Sequence, residues 1–244
     1  MSVPKLPESR YFPPAEEADP DGIIGIGGEL SPDWLIDAYT HGIFPWPFDE
    51  DFPIPWCSPD PRGIIPLDGY HFSRSLCRLV RKRRFDVTCD RAFRQVLQHC
   101  ADAHGGREHT WLTGPMIDAY DELHRLGLAH SVEAWFEGKL VGGVYGVAIG
   151  GLFAAESMFY LMPNASKVAL AHLLVHVRRR GYRLFDIQMV TPHTRTFGGI
   201  EIPRSEYLAR LARALEVDAD FGQRLEWADD DFRRPCGRPV SPSE

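Results

Sequence analysis

The stretch that most constrains this chain is residues 131–189, where the hydrophobic pattern changes period twice. Three β-rich runs, at 131–136, 139–149 and 152–161, are separated only by Glu137-Gly138 and Gly150-Gly151. Two-residue connections of this kind are hairpin turns, because glycine tolerates the positive φ they need. An antiparallel meander is therefore predicted. Asn164 follows as the expected cap of a helix, ASKVALAHLLVHVRRR, which carries Arg178, Arg179 and Arg180 in its last turn and stops at Gly181. Cations are favoured at that end of the helix dipole. RLFDIQMV then reads as a further strand.

Three antiparallel strands, a helix and another strand is the core order of the acetyltransferase-like (GNAT-like) acyl-transfer fold. The chemistry this order suggests is acyl transfer to an amine. The Q/R-x-x-G-x-G/A turn that holds the pyrophosphate of coenzyme A is missing, since the helix opens with Asn164-Ala165-Ser166-Lys167. A different acyl donor is expected.

Upstream, Ser31 and Pro32 mark a helix start, and Gly42 its end. The glycines at 22, 25, 27 and 28 fail the dinucleotide pattern G-x-G-x-x-G, because Leu30 stands where its last glycine should be. FPWPFDEDFPIPWCSPDPRG is so rich in proline and aromatic residues that it is expected to be an irregular packed loop, with Trp56 in the core. A helix is predicted over 73–84, with Leu76, Leu79 and Val80 on one side and Arg74, Arg78 and Arg81 on another. Lys82, Arg83, Arg84, Arg91 and Arg94 continue this charge against only Asp86 and Asp90, within a chain whose net charge is −7. Two further helices are predicted over 90–100 and 115–126.

Alternation along the strand at 184–189 puts Asp186 and Gln188 on one side, about 7 Å apart. Glu156, in FAAESMFYL, is a lone charge among small and apolar residues. Burying an unpaired carboxylate costs several kcal/mol, so such an acid is paired or faces a site. Metal chemistry is not expected: His172 and His176 lie four apart but lack a third ligand, and the five cysteines form no C-x-x-C pair. No cofactor is implied. The first residues carry no secretory pattern and no run is long enough to span a membrane, which predicts a cytoplasmic protein.

The strings PDGIIGIGGELSP, AYTHGIFPW, WCSPDPRGIIP, HFSRSL, TWLTGPMIDAYDELHRLGLAHSVEAW, LVGGVYGVAIG, ESMFY, NASKVALAHL, DIQMVTPHT and GGIEIPRSEYL, in this order, resemble the leucyl/phenylalanyl-tRNA protein transferases over roughly residues 11–215. The resemblance implies an α+β chain, with a smaller N-terminal α/β domain at 1–62, a GNAT-like catalytic domain at 63–232 and a tail at 233–244. It implies transfer of Leu, Phe or Met from aminoacyl-tRNA to the N-terminal Arg or Lys of acceptor proteins, which marks them for N-end-rule degradation.

Several roles come with it. Trp46 and Trp111 would bracket the 3′-terminal adenosine, and Arg74, Arg78, Arg81, Lys82, Arg83 and Arg84 would contact acceptor-stem phosphates. Val144, Phe153, Ala155, Met158, Leu170, Leu173 and Phe185 would form the aminoacyl pocket. Gln188 would accept a hydrogen bond from the attacking amine, Asp186 would polarise Gln188, and Glu156 would hold the cationic acceptor. Cys57, Ala154-Ala155, Ile187 and the run Thr196-Phe197-Gly198-Gly199 depart from the family pattern, and the alanine at 155 narrows the expected pocket. Two other functions compete: a coenzyme-A-dependent GNAT N-acyltransferase, and an RNA-binding module without catalysis.

Overall fold

The computed structural model describes residues 6–47, 52–103 and 112–232. In chain order the elements are β1 (Ile23–Ile26), α1 (Pro32–Thr40), β2 (Phe44–Pro45), β3 (Pro55–Cys57), β4 (Arg62–Ile64), α2 (Arg74–Arg81), β5 (Asp86–Cys89), α3 (Phe93–Ala103) and α4 (Gly114–Arg125). They continue with β6 (Ala129–Phe136), β7 (Lys139–Ile149), β8 (Leu152–Tyr160), α5 (Ala165–Arg179), β9 (Leu184–Gln188), α6 (Pro192–Arg195), β10 (Ile200–Ile202) and α7 (Arg204–Leu215). The architecture is mixed α/β.

The predicted meander is present as β6, β7 and β8, with β6 and β7 joined at Glu137 and Gly138, whose φ values are +49° and +74°, and β7 and β8 at Gly150 and Gly151. It lies in a seven-stranded sheet of order β10-β4-β9-β8-β7-β6-β5. Every neighbouring pair is antiparallel except β8 and β9, which α5 connects as a parallel pair. Both faces are covered, so β7 is almost wholly buried. Tyr145 and Val147 pack with Leu35, Tyr39, Val96, Tyr120 and Tyr207, whereas Val144 and Ala148 pack with Leu76, Val80, Val168 and Leu174. Gly142 lets α5 approach this closely, because a Cβ there would lie 2.5 Å from that of Ala165.

The proline-rich stretch differs from its prediction. It contains β2 and β3, and β3 pairs with both β2 and β1 as the middle strand of a three-stranded sheet; Trp56 is core as expected, with its indole N–H on the Gly27 carbonyl at 2.7 Å. Asn164 also departs from expectation. It precedes α5 in the left-handed region, φ +70°, and its side chain makes no cap. The acidic stretch after Trp227 is docked: Phe232 is fully buried and stacks on Phe72. His172 and His176 face this packing from α5. His176 accepts from the Glu226 N–H at 2.9 Å and meets the Phe221 carbonyl at 2.8 Å, which makes it a structural latch.

Candidate active site

The paired register of β8 and β9 ends at Ala154 and Asp186. Beyond that point two local distortions hold the strands apart. Glu156 is an extra residue in β8, since Tyr145 faces Ser157 while the next residue of β7, Gly146, faces Ala155. Such a bulge re-aims a side chain. Gln188 ends β9 with φ +54°, a conformation that costs a non-glycine residue about 1 kcal/mol or more. Gly63 accommodates the strand's exit, because a Cβ there would lie 2.7 Å from the Met189 carbonyl carbon. The splay opens a cavity of about 580 Å³.

Its walls are mostly apolar, formed by Phe44, Trp46, Val144, Met158, Leu170 and Met189 among others, with Glu156, Gln188, Thr191, His193 and Thr194 among the polar members. Ile187 lines it together with Gln188, although strict alternation would put these neighbours on opposite faces; the positive φ is the reason. Of the seven residues expected around an aminoacyl side chain, Val144, Ala155, Met158 and Leu170 line the cavity. Phe153, Leu173 and Phe185 do not. Phe153 and Phe185 stack on each other at 5.5 Å, Phe153 also meets Phe221, and all three residues are closed in the core on the α5 side.

Asp186 and Gln188 do not share one open space as predicted. Asp186 is fully buried and receives two hydrogen bonds from Arg62, at 2.9 and 2.6 Å, and one from the Tyr207 hydroxyl at 2.8 Å. Arg62 also donates to the Gly42 carbonyl at 2.9 Å and lies over the rings of Phe44 and Tyr207. Burial opposes the guanidinium charge, but Asp186 and Tyr207 outweigh it and raise the Arg62 pKa. Asp186 reaches Gln188 through the main chain, accepting from its N–H at 2.9 Å. It therefore fixes the strained backbone rather than polarising the side-chain amide.

That amide belongs to Glu156, donating to Oε1 at 3.0 Å, while the Tyr120 hydroxyl donates to Oε2 at 3.2 Å and meets the Tyr39 hydroxyl at 2.6 Å. Burial pushes the Glu156 carboxyl up to about 7, opposed by Tyr39 and reinforced by Asp186. The fold thus favours the protonated acid. This contribution is fully present below the ordinary carboxylate pKa and is lost as pH rises through about 7. Replacing Glu156 by Gln should make the variant gain stability relative to the native chain by about 2–3 kcal/mol between pH 5 and pH 8. Urea unfolding at the two pH values checks this, and parallel behaviour of the two proteins would refute it.

Arg62, Tyr207, Tyr39 and Tyr120 escaped sequence reasoning, though Arg62 stands as a lone cation beside the apolar run GII. The six cations from Arg74 to Arg84 are all exposed. Ser73 caps their helix by accepting from the Leu76 N–H, and Lys82 to Arg84 lie beyond its last turn. Among the described residues only Arg83 of the six has an ion-pair partner, Asp229 at 3.5 Å. Trp46 borders the cavity, and Trp111 lies outside the described residues.

For a metal, Asp90, His124 and His130 bring ligand atoms within 4.8 Å. These groups are already engaged: His130 meets Asp90 at 2.7 Å and the Gly127 carbonyl at 3.1 Å, and His124 meets the Ala129 carbonyl at 2.7 Å. They serve as a structural network.

Fold and site together define a mixed α/β enzyme with an apolar pocket closed at its base by a carboxylate network. Residues 64–212 match the family model described as leucyl/phenylalanyl-tRNA protein transferase, and residues 28–60 match its N-terminal domain. A relative of that name from Anaeromyxobacter sp. (strain Fw109-5) is 48% identical over 238 residues, 97% of this chain and all of its own. Those of Syntrophotalea carbinolica and Nitratidesulfovibrio vulgaris (strain DP4) are each 49% identical, over 88% and 91% of this chain and 93% and 96% of theirs. The chain belongs to the leucyl/phenylalanyl-tRNA protein transferase family.

Proposed function

We propose that this protein transfers leucine or phenylalanine, and also methionine, from aminoacyl-tRNA to the N-terminal amine of proteins that begin with Arg or Lys. The observation that carries the reading is the cavity between β8 and β9, apolar along its walls and floored by Glu156 and Gln188, in a chain of this family. Residues 63–232 act as a GNAT-like catalytic domain, residues 1–62 as the smaller N-terminal unit, and the site of action is the cytoplasm.

An aminoacyl ester is already activated, so the tasks are alignment of a neutral amine on the carbonyl and removal of its proton. Well-aligned reactants can lower the barrier by several kcal/mol without a covalent intermediate. The donor side chain enters between Val144, Ala155, Met158 and Leu170. Selection by such walls discriminates by about 1–3 kcal/mol per methylene, in keeping with a donor set of apolar residues of different shape. One Glu156 oxygen accepts from the Gln188 side-chain N–H, which leaves the Gln188 carbonyl oxygen for the attacking amine. A carboxyl with a pKa of about 7 can take up the proton that the amine loses and draws a cationic acceptor when ionised. Trp46, with Trp111, stacks on the terminal adenine, worth about 1–3 kcal/mol per base.

The cations Arg74, Arg78, Arg81, Lys82, Arg83 and Arg84 bind acceptor-stem phosphates without reading sequence. Neutralising Arg74, Arg78 and Lys82 together should weaken leucyl-tRNA binding at 0.15 M salt by roughly tenfold or more, and lower the salt slope by about 2 to 3. An unchanged slope would remove this helix from the interface. The reading as a whole is tested by transfer of labelled leucine from leucyl-tRNA to a protein with an N-terminal Arg or Lys. Incorporation is expected; none from leucyl-, phenylalanyl- or methionyl-tRNA would sink it.

A further inference from the structure

Most polar groups on the cavity wall are spoken for within the protein. Gln188 is bonded to Glu156, and Thr191 and Thr194 cap each other across α6, with Thr194 N–H on Thr191 Oγ1 at 3.1 Å and Thr191 N–H on Thr194 Oγ1 at 2.9 Å. His193 has a buried atom that is not so engaged. It lines the cavity, packs against Phe197 with ring centroids 5.4 Å apart, and has its Nε2 shut off from solvent with no hydrogen-bond partner among the described residues. An unmet buried polar atom costs about 1–3 kcal/mol. Here that atom belongs to a residue whose one-turn helix is fixed by a reciprocal cap and by Pro192 at its start, so the ring is held in place for a partner that arrives from outside.

The chemistry of that partner follows from charge. Burial, aided by Lys167, lowers the His193 pKa, so the ring is neutral at neutral pH and offers one donor and one acceptor. A hydroxyl is the complement of such a pair. Lys167 also makes this side of the cavity repel a cationic acceptor, whereas Glu156 attracts one. The His193 side is thereby left to the donor, whose phosphates Lys167 suits. The polar group that every aminoacyl-tRNA must bring beside its reacting ester is the free ribose hydroxyl on the adjacent carbon.

We propose that His193 binds the 2′-hydroxyl of the terminal ribose and so sets the ester in register with Gln188. The inference rests on the transferase reading above. A hydrogen bond there would restrict the donor to RNA ends, since this hydroxyl is what separates RNA from DNA.

The test is calorimetric binding of two stable amide mimics, 3′-leucylamino-3′-deoxyadenosine and its counterpart lacking the 2′-hydroxyl. Three proteins are compared: the native chain, His193→Phe, which keeps a ring against Phe197, and His193→Asn, which keeps hydrogen-bonding capacity. The native chain should prefer the hydroxylated mimic roughly tenfold, equivalent to about 1.4 kcal/mol. His193→Phe should bind both mimics within about twofold of each other, and His193→Asn should recover part of the preference. A native chain that binds the two equally, or a His193→Phe variant that still prefers the hydroxyl, overturns the inference and leaves the transferase reading intact. Binding of neither mimic overturns both.

Discussion

Replacing Arg62 by Met is expected to destabilise the protein by about 3–5 kcal/mol and to abolish transfer, because it leaves the Asp186 charge buried without a counter-ion. The pair is fully enclosed, with both side chains about 1% exposed. Solvent cannot replace the guanidinium. Tyr207 would still donate to one oxygen and the Gln188 N–H to the other, but neither carries positive charge. Removing the charge as well should therefore help: the double variant Arg62→Met with Asp186→Asn should recover at least about 1 kcal/mol of the loss seen in Arg62→Met alone, since a neutral amide needs no counter-ion. Chemical denaturation of the native chain and the two variants checks this. If the double variant is no more stable than Arg62→Met, lost packing against Phe44 and Tyr207 is the cause instead of charge.

This pair also shows where sequence reasoning runs out. The meander and α5 are legible because their signals are local: period-two runs, two-residue turns and an apolar helix closed by a glycine within a single stretch. Arg62 and Asp186 are 124 positions apart, and nothing in the neighbourhood of either residue names the other. The small sheet is hidden for a similar reason. Ile23 pairs with Cys57 across a helix and a proline-rich segment, and prolines at strand ends mask short strands that contribute few ladder bonds. β5 falls between the helices predicted over 73–84 and 90–100 and carries no signal of its own, because DVTC is four residues long and only half covered.

The site was legible in its members but not in its geometry. Glu156 and Gln188 stand out as polar residues in apolar strands, and alternation then assigns Asp186 to the same open face as Gln188. Alternation holds only for a regular ladder. The bulge at Glu156 and the positive φ at Gln188 both break it, so the strands part, Asp186 stays beneath and Ile187 reaches the cavity. The same loss of regularity explains the misplaced pocket residues. Phe153 and Phe185 lie where β8 and β9 are still paired, so no space opens beside them.

The strained backbone at Gln188 lets the contributions of its main chain and side chain be separated. If the amide oxygen receives the attacking amine, removing the side chain should lower kcat by about 10²- to 10³-fold while leaving the affinity for leucyl-tRNA within about twofold. Alanine alone cannot prove this, because it keeps the unfavourable left-handed backbone and could let the strand relax. Glycine adopts φ +54° freely. Gln188→Gly removes the amide and its bond to Glu156 while preserving the turn that Asp186 holds through the main chain. Both variants should therefore be equally inactive, with Gln188→Gly the more stable by about 1 kcal/mol. Single-turnover transfer with saturating enzyme measures the loss, and recovery of activity in the glycine variant alone would show that backbone geometry, rather than the amide, is what the reaction needs.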